Sequence, residues 1–549
     1  MTSRQMNDLP QARDRVETGR ASAAARAGAA PGLVHSPYPR IFGHGLRPLA
    51  GHQVRAWDAA LASVRRTQEA TLRSLLGRAM RTEFGRAHEF SHIDDHDSFV
   101  RHVPVGDYDS FSPSIDRMRA GERGILVREA VRYFGNSSGS STGGKSKFLP
   151  ITERQIRFQQ RAGSDILMRY LRWSGDDDLF QGFTLGLFPP TTMRREGRAL
   201  ITSNPALMMT RMPLVSRPVY LPEQDVRTIQ NYDEKLAVIA DRYLDHDVRA
   251  IVGTTCWFTL LFEKVRAAAR ARGRNVRGVA DVWPNLRVLF GGGVAAAPYR
   301  AVIRDLMGRD DVTLVDTYNA TEGGVYAASD FAGQDGMLVL PHRGTFFEFV
   351  PLERRHAPEG ARVPLWSVER DRLYSIVVTT SSGLYVYELG DIVRFTSTDP
   401  LRIEFVGRLS GCLSLTQELT THLEIEQAVS DALAAHPATT VDFGAAAEVG
   451  VDGGAKSRYI LFIEFQQGAA PHDLHGFAGA FDEGLRTRNR VYREHRQGDV
   501  ALLAARLVPL VSGGARRFLE EVTGGNVQGK FPRIIDDTKK QLLWQHAAR

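Results

Sequence analysis

Residues Tyr133 to Pro150 read YFGNSSGSSTGGKSKFLP, and the fold turns on how this stretch is taken. Gly139–Ser146 matches G-x-x-x-x-G-K-[ST], the phosphate loop of nucleoside triphosphatases. Gly135–Gly139 matches G-x-S-x-G, the nucleophile elbow of serine hydrolases, with Ser137 as nucleophile. A third reading is a hydroxyl-rich loop that wraps a triphosphate through side-chain oxygens, backbone N–H groups and lysine. The first two motifs run from a buried strand straight into a helix. Val131–Phe134 has strand character, but Pro150 follows Lys145 too closely for a helix to begin there. The next helix opens at Thr152-Glu-Arg-Gln155, a capping box, and runs amphipathically to about Trp173. The segment is therefore predicted as a long mobile loop that ends in an extended strand, Lys147–Pro150. A plain Ser/Gly linker would not need two lysines in three residues.

Lysine is scarce here: only eight of the 70 basic residues are lysines, the rest arginine. In such a background a retained lysine points to a need for a compact, mobile ammonium rather than a planar fork. That singles out Lys145, Lys147 and, near the other end, Lys530.

With 549 residues the chain has room for a large core and more than one domain. Its 43% hydrophobic and 24% charged content is that of a soluble globular protein, with no apolar run able to span a bilayer. The net charge is +7, yet much of the excess lies in residues 1–40, and no basic block carries interleaved aromatics. Neither nucleic acid nor membrane is an expected partner. Cys256 and Cys412 form no disulfide framework and no metal-ligand pattern, which suggests a reducing cytoplasm. Residues 1–40 read as a disordered tail without the apolar core of a signal.

Apolar spacing is helical from about Trp57 to Arg86. His92-Ile-Asp-Asp-His-Asp97 superficially resembles a metal cluster, but an acidic turn capping the next segment explains it better. In the middle, Asp247–Val252, Leu286–Phe290 and Val312–Asp316 read as strands that alternate with helices, which implies a largely parallel α/β sheet. Ligands bind at the carboxyl ends of such strands, where Gly291–Gly293 and Tyr318–Glu322 fall. From Arg372 the pattern turns β-rich: Leu373–Thr380, the turn Ser381-Ser-Gly383, Leu384–Tyr387, Ile392–Phe395 and Ile403–Val406. After Arg408 a helix, a strand pair, an Arg-rich helix and a final strand, Leu503–Val511, follow. The predicted architecture is α/β: residues 41–408 as a large N-terminal domain of mixed and parallel sheet with a small β-rich subdomain, and 409–549 as a smaller, mobile α+β domain.

Five motifs stand in order: the Ser/Thr/Gly-Lys loop, Tyr318-x-x-Thr321-Glu322, Tyr387-x-x-Gly390-Asp391, Phe405-x-Gly-Arg408 and Lys530-x-Pro-Arg533. This set resembles the acyl-adenylate-forming superfamily that includes luciferase, and within it the auxin-responsive family of acyl acid amido synthetases. The closer resemblance adds Thr82-Glu-Phe-Gly85-Arg, Val103-Pro-Val-x-Asp-Tyr108 and Lys147–Pro150, and covers about residues 60 to 540. Three places depart from that pattern: a loop one residue longer, Ser410 at the hinge, and no lysine across Thr416–Leu419.

The resemblance implies ATP and Mg²⁺ as cofactors, with a small-molecule carboxylic acid and an amine, such as an amino acid, as the other partners. Ser137, Ser138, Ser140, Ser141 and Thr142 with Lys145 or Lys147 would hold the β- and γ-phosphates. Glu322 would ligate Mg²⁺, and Thr321 would touch the α-phosphate. Gly291, Gly292 and Gly293 with Tyr318 would sandwich adenine, Asn319 lying beside them. Asp391 would accept from the ribose hydroxyls, Arg408 would contact ribose or phosphate, and Lys530 would swing in during adenylation. Singly each is ordinary: Glu322 a solvated loop acid, Asp391 a turn residue, Lys530 a loop charge. Their joint order favours a two-step ligase that makes an acyl-adenylate and then an amide. An acyl-CoA or carrier-protein ligase is the alternative within enzymes, and a phosphate-loop NTPase or an inactive binding protein are alternatives outside that reading. The acid pocket is expected around Thr254–Phe258 and Tyr318.

Overall fold

Strand–helix alternation in the middle of the chain builds a parallel array in the order Tyr220–Leu221, Phe183–Leu187, Val248–Thr254, Val288–Gly292, Thr313–Ala320. Thr313–Ala320 is the pivot of the fold, because its other neighbour, Gly324–Ala328, runs antiparallel to it. From there the sheet continues antiparallel through Met337–Val339, Leu401–Arg408, Tyr387–Thr398, Leu373–Thr380, Thr345–Pro351 and Val363–Pro364. The β-rich stretch predicted as a separate subdomain is therefore joined edge to edge with the parallel strands in one twelve-stranded sheet. The joint is Met337–Val339, a three-residue strand too short to leave a periodic signal. This computed structural model describes residues 32–548 apart from 138–146, 294–295, 297–298, 332, 355–360, 410–412, 414–419, 449–450, 452–456, 490–491, 494–495, 497–501 and 524–529.

A second sheet holds the ends of the serine-glycine loop. Tyr133–Ser137 returns antiparallel as Lys147–Ile151, with Ser137 opposite Lys147, and Ala199–Thr202 and Arg194–Glu196 complete it. Among the described residues the segment is flanked by strand on both sides, Ser137 before it and Lys147 after it, whereas both rival motifs lead from a strand into a helix. The helix follows later, as predicted: Glu153–Ser174, with the Thr152 hydroxyl accepting from Gln155 N at 3.2 Å. Ala162, Ile166 and Tyr170, spaced four apart, pack one face of it against the central sheet.

The predicted helix near Trp57–Arg86 is three pieces: Arg40–Ala62, Val64–Ala79 and Glu83–Ala87, the last capped by Thr82. Its start at Arg40 was hidden by Pro48 and three glycines, which dilute the apolar period. Residues 1–31 lie outside the described part; Val34 pairs with the body at Asp245 and Asp247, and His35 with the Asp247 carboxylate at 2.9 Å. Asp95 caps His96–His102 through Ser98 N at 2.7 Å, as the acidic-turn reading expects. Among the described residues no group of three or more acidic, histidine or cysteine side chains could hold a metal, and no helix is long and apolar enough to cross a membrane.

The C-terminal part is a four-stranded sheet, Arg506–Pro509, Arg458–Phe465, Thr440–Glu448, Ile534–Ile535. Along Arg458–Phe465, Tyr459, Leu461 and Ile463 face the helices His422–Ala435 and Leu474–Arg488, while Ile460 and Phe462 face Gly514–Thr523 and Asp537–Gln545. That period of two buries both faces. The strand predicted as the last is followed by another, Ile534–Ile535, which lies parallel to Thr440–Glu448 and so fixes the Lys530–Arg533 segment just before it.

Candidate active site

The carboxyl ends of Val288–Gly292 and Thr313–Ala320 lie side by side, with Gly291 opposite Asp316 and Gly292 opposite Thr317. Thr317 Oγ1 donates to Gly291 O at 2.8 Å. A Cβ on Gly292 would stand 2.6 Å from Thr317 Oγ1 and 3.0 Å from Asn319 Nδ2, so glycine is what lets these backbones approach. Gly293 turns with φ +77°, and its carbonyl accepts from Lys530 Nζ, although 237 residues separate the two. A side chain at residue 293 would displace that ammonium.

Asp391, Arg408, Tyr318, Glu322 and Lys147 share one electrostatic neighbourhood. Tyr318 donates to Asp391 Oδ2 at 2.9 Å, and Arg408 Nε lies 3.1 Å from Oδ1. Burial pushes the Asp391 carboxyl above the usual range, which Arg408, the Tyr318 hydroxyl and Lys147 oppose. Glu322 is pushed up by burial and by the charge of Asp391, against Arg408 and Lys147. Two acids forced together against their tendency to ionise mark a place that gains from added positive charge. Tyr318 itself is 7% exposed, packed edge-on to Tyr326 and tilted against Phe405, whereas Asn319 beside it is exposed. Tyr318, expected to stack on adenine, is thus packed among aromatic rings with its hydroxyl on Asp391.

The turn carrying Glu322 is braced from below. Gln155 Nε2 donates to Gly323 O, and its Oε1 accepts from Ser381 Oγ at 2.9 Å. The capping box read in the sequence is therefore half made: Thr152 caps the helix, while Gln155 is diverted to the active-site turn. Thr321 packs on the loop's incoming strand, and a Cβ on Gly135 would come 2.6 Å from Thr321 Cγ2. On the returning strand, the Lys147 ammonium lies 5.5 Å from the Tyr108 ring centroid, and Tyr108 OH accepts from Phe148 N at 3.0 Å. Gln155 and Tyr108 were legible as residues of a cap and a motif, but nothing in the sequence gave them a site role.

The structure thus brings Gly291–Gly293, Tyr318, Asn319, Thr321, Glu322, Lys147, Asp391, Arg408 and Lys530 to the carboxyl end of the central strands. Ser138, Ser140, Ser141, Thr142, Lys145, Ser410 and Thr416–Leu419 lie outside the described residues. For Ser137, only its place at the end of the incoming strand is described.

A mixed sheet with this site at its switch strand and a small α+β part closing over it defines a fold class, that of the adenylate-forming ligases. The 2-hydroxyisobutyryl-CoA ligase in its postadenylation state in complex with R3-HIB-AMP shares that fold, with TM-score 0.55 and 15% identity over 87% of this chain and 91% of the ligase. The chain belongs to the GH3 family, whose N-terminal, central and C-terminal domain models match residues 54–194, 338–408 and 423–539. The structure titled AtGH3.15 acyl acid amido synthetase in complex with 2,4-DB superposes with TM-score 0.76 at 17% identity, over 92% of this chain and 96% of that one. In sequence the chain is 32% identical over 290 residues to a jasmonoyl–L-amino acid synthetase of Oryza sativa subsp. japonica, a match covering 48% of each, so it spans about half the length of that relative. It is 22% identical over 564 residues to an indole-3-acetic acid-amido synthetase of Arabidopsis thaliana, covering 86% of this chain and 89% of the relative.

Proposed function

We propose that this chain is an ATP-dependent ligase that adenylates a small carboxylic acid and passes the acyl group to the amine of an amino acid. The observation that carries this reading is that Lys530 meets Gly293 at the end of a strand whose neighbour, through Tyr318, reaches Asp391, with Glu322, Arg408 and Lys147 in the electrostatic surroundings of that acid. A mobile ammonium, a pair of acids and a close-packed glycine strand end suit a nucleoside triphosphate with its metal ion. The names of the relatives, jasmonoyl–L-amino acid and indole-3-acetic acid-amido synthetases, support an apolar or aromatic acid and an amino acid as substrates.

In the first step an acid carboxylate oxygen attacks the α-phosphorus, that bond forms, and the bond to the pyrophosphate oxygen breaks. Lys147 and Lys530 stabilise the departing negative charge, and the loop residues Ser137, Ser138, Ser140, Ser141, Thr142 and Lys145 hold the phosphates. Asp391, oriented by Tyr318, accepts from the ribose, with Arg408 beside it; Gly291–Gly293 and Asn319 form the adenine shelf, and Thr321 reaches the α-phosphate. Glu322 fits Mg²⁺, since a hard oxygen donor whose ionisation is opposed by burial and by Asp391 gains from a cation. Mg²⁺ bound there would neutralise phosphate charge. In the second step an unprotonated amine attacks the acyl carbon from about 3–3.5 Å; the C–O bond to AMP breaks and the amine's proton passes to solvent. We assign residues 41–408 to the adenylation domain, 409–549 to the C-terminal domain, and the reaction to the cytoplasm.

Acid-dependent exchange of labelled pyrophosphate into ATP is the test, with products of acid, ATP, Mg²⁺ and mixed amino acids or coenzyme A identified by mass. AMP and an amide are expected. ADP would overturn adenylation; a thioester without amide would overturn the second step alone.

A further inference from the structure

A further contact joins the two domains beside the Lys530–Gly293 pair. Arg533, three residues after Lys530, is 8% exposed. Its Nε donates to Glu426 Oε1 at 3.0 Å, its Nη1 to Phe443 O at 2.8 Å and to the Asp442 carboxylate, and its guanidinium lies 4.1 Å from the Phe443 ring centroid. All of these partners belong to the C-terminal part, and they lock the guanidinium plane before it meets anything else. Its Nη2 then donates across the domain boundary to Tyr299 OH at 3.1 Å. Tyr299 precedes the helix Arg300–Met307 and closes the connection that Gly293 opens. The segment Lys530–Arg533 therefore grips that connection at both ends, Lys530 at Gly293 and Arg533 at Tyr299.

We infer that Arg533 is a positioning residue which, through Tyr299, sets the Lys530 ammonium for adenylation, and that it has no part in amide formation. This rests on the adenylation reading above. The reason for the division is chemical. Lys530 serves the step in which pyrophosphate leaves, whereas attack of an amine on a finished acyl-adenylate involves no triphosphate charge. A lysine on a flexible stem spends its time at Gly293 only if its backbone is held there, and the neighbouring fork, pre-fixed by two carboxylates and a carbonyl, holds it.

Tyr299→Phe separates the roles, because it removes one oxygen and leaves every bond of Arg533 within its own domain intact. Two half-reactions are measured on the full chain: pyrophosphate exchange, and amide formation from supplied acyl-adenylate and amino acid. The expected result is a kcat for exchange lowered by roughly tenfold, the size of one lost hydrogen bond to a charged group, with KM for ATP within about twofold and the amide half-reaction unchanged. Arg533→Lys, followed with its melting temperature, should show the same split more strongly. Equal loss in both half-reactions, or no loss in either, overturns the inference. A wild-type chain that shows no exchange with any acid overturns the adenylation reading instead.

Discussion

Asp391 and Arg408 stand directly opposite each other across the antiparallel pair Tyr387–Thr398 and Leu401–Arg408, with 3.1 Å between Oδ1 and Nε. They are unequal partners: the aspartate side chain is 4% exposed, the arginine 49%. The cation opposes the burial that raises the acid's proton affinity, while about half of its own side chain faces solvent.

Arg408→Gln should therefore act through proton affinity. Burial already raises the Asp391 carboxyl and Arg408 opposes that rise, so without the guanidinium it climbs further. If the ionised form accepts the ribose hydroxyls, the acidic limb of the pH profile for pyrophosphate exchange moves to higher pH. A lower rate with the limb unmoved would contradict this.

Gly135→Ala should displace Thr321, whose methyl would be 2.6 Å from the new Cβ. Overpacking of this kind costs about 1–3 kcal/mol. It should raise KM for ATP, and Thr321→Ser, which removes the offending methyl and keeps the hydroxyl, should recover much of the loss in the double variant. Independent, additive effects would show that the two residues are not coupled.

Gln155→Leu strips two partners at once, the Gly323 carbonyl and the Ser381 hydroxyl, at a site where the glutamine is 1% exposed. Leaving such groups unpaired costs about 1–3 kcal/mol each. The melting temperature should fall, and the Mg²⁺ concentration needed for half-maximal exchange should rise because the Glu322 turn loosens. A drop in stability with an unaltered Mg²⁺ requirement would separate Gln155 from the metal.

Asp316 gives a pH test of the interdomain region. Burial and the charge of Glu426 raise its carboxyl to about 6, against hydrogen bonding from Ala296 N and the charge of Arg300. A folded-state value above the unfolded one means that its contribution to stability is greatest below about pH 4, declines as pH rises through about 6, and is level above that. Asp316→Asn retains an acceptor without the charge. It should melt higher than the wild type at pH 7.5, by a margin that shrinks toward pH 5, in paired thermal unfolding curves. A margin independent of pH would show that the group is not the one titrating.

Local patterns were legible because local sterics write them: Thr152 as a cap, Lys147–Pro150 as an extended strand barred from helix by its proline, and glycines where two strand ends meet. What escaped reading is held by distant partners. Gln155 and Gly323 are 168 residues apart, Arg533 and Tyr299 234. The Tyr318-x-x-Thr-Glu motif was plain, but periodicity alone cannot say which face of a buried strand meets ligand, and the sheet turns Tyr318 inward and Asn319 outward. The single twelve-stranded sheet was likewise out of reach, since it depends on which edges pair.

The pairing of Ser137 with Lys147 at the mouth of the serine-glycine loop separates two kinds of inheritance in one motif. Lys147 belongs to a register fixed along the whole hairpin, from Tyr133 opposite Ile151 onward, whereas Lys145 belongs to the span between. Insertions, deletions or a transplanted sequence between 138 and 146 leave the anchored lysine where it stands. The register of the two flanking strands alone thus decides where Lys147 stands, independently of the sequence that joins them.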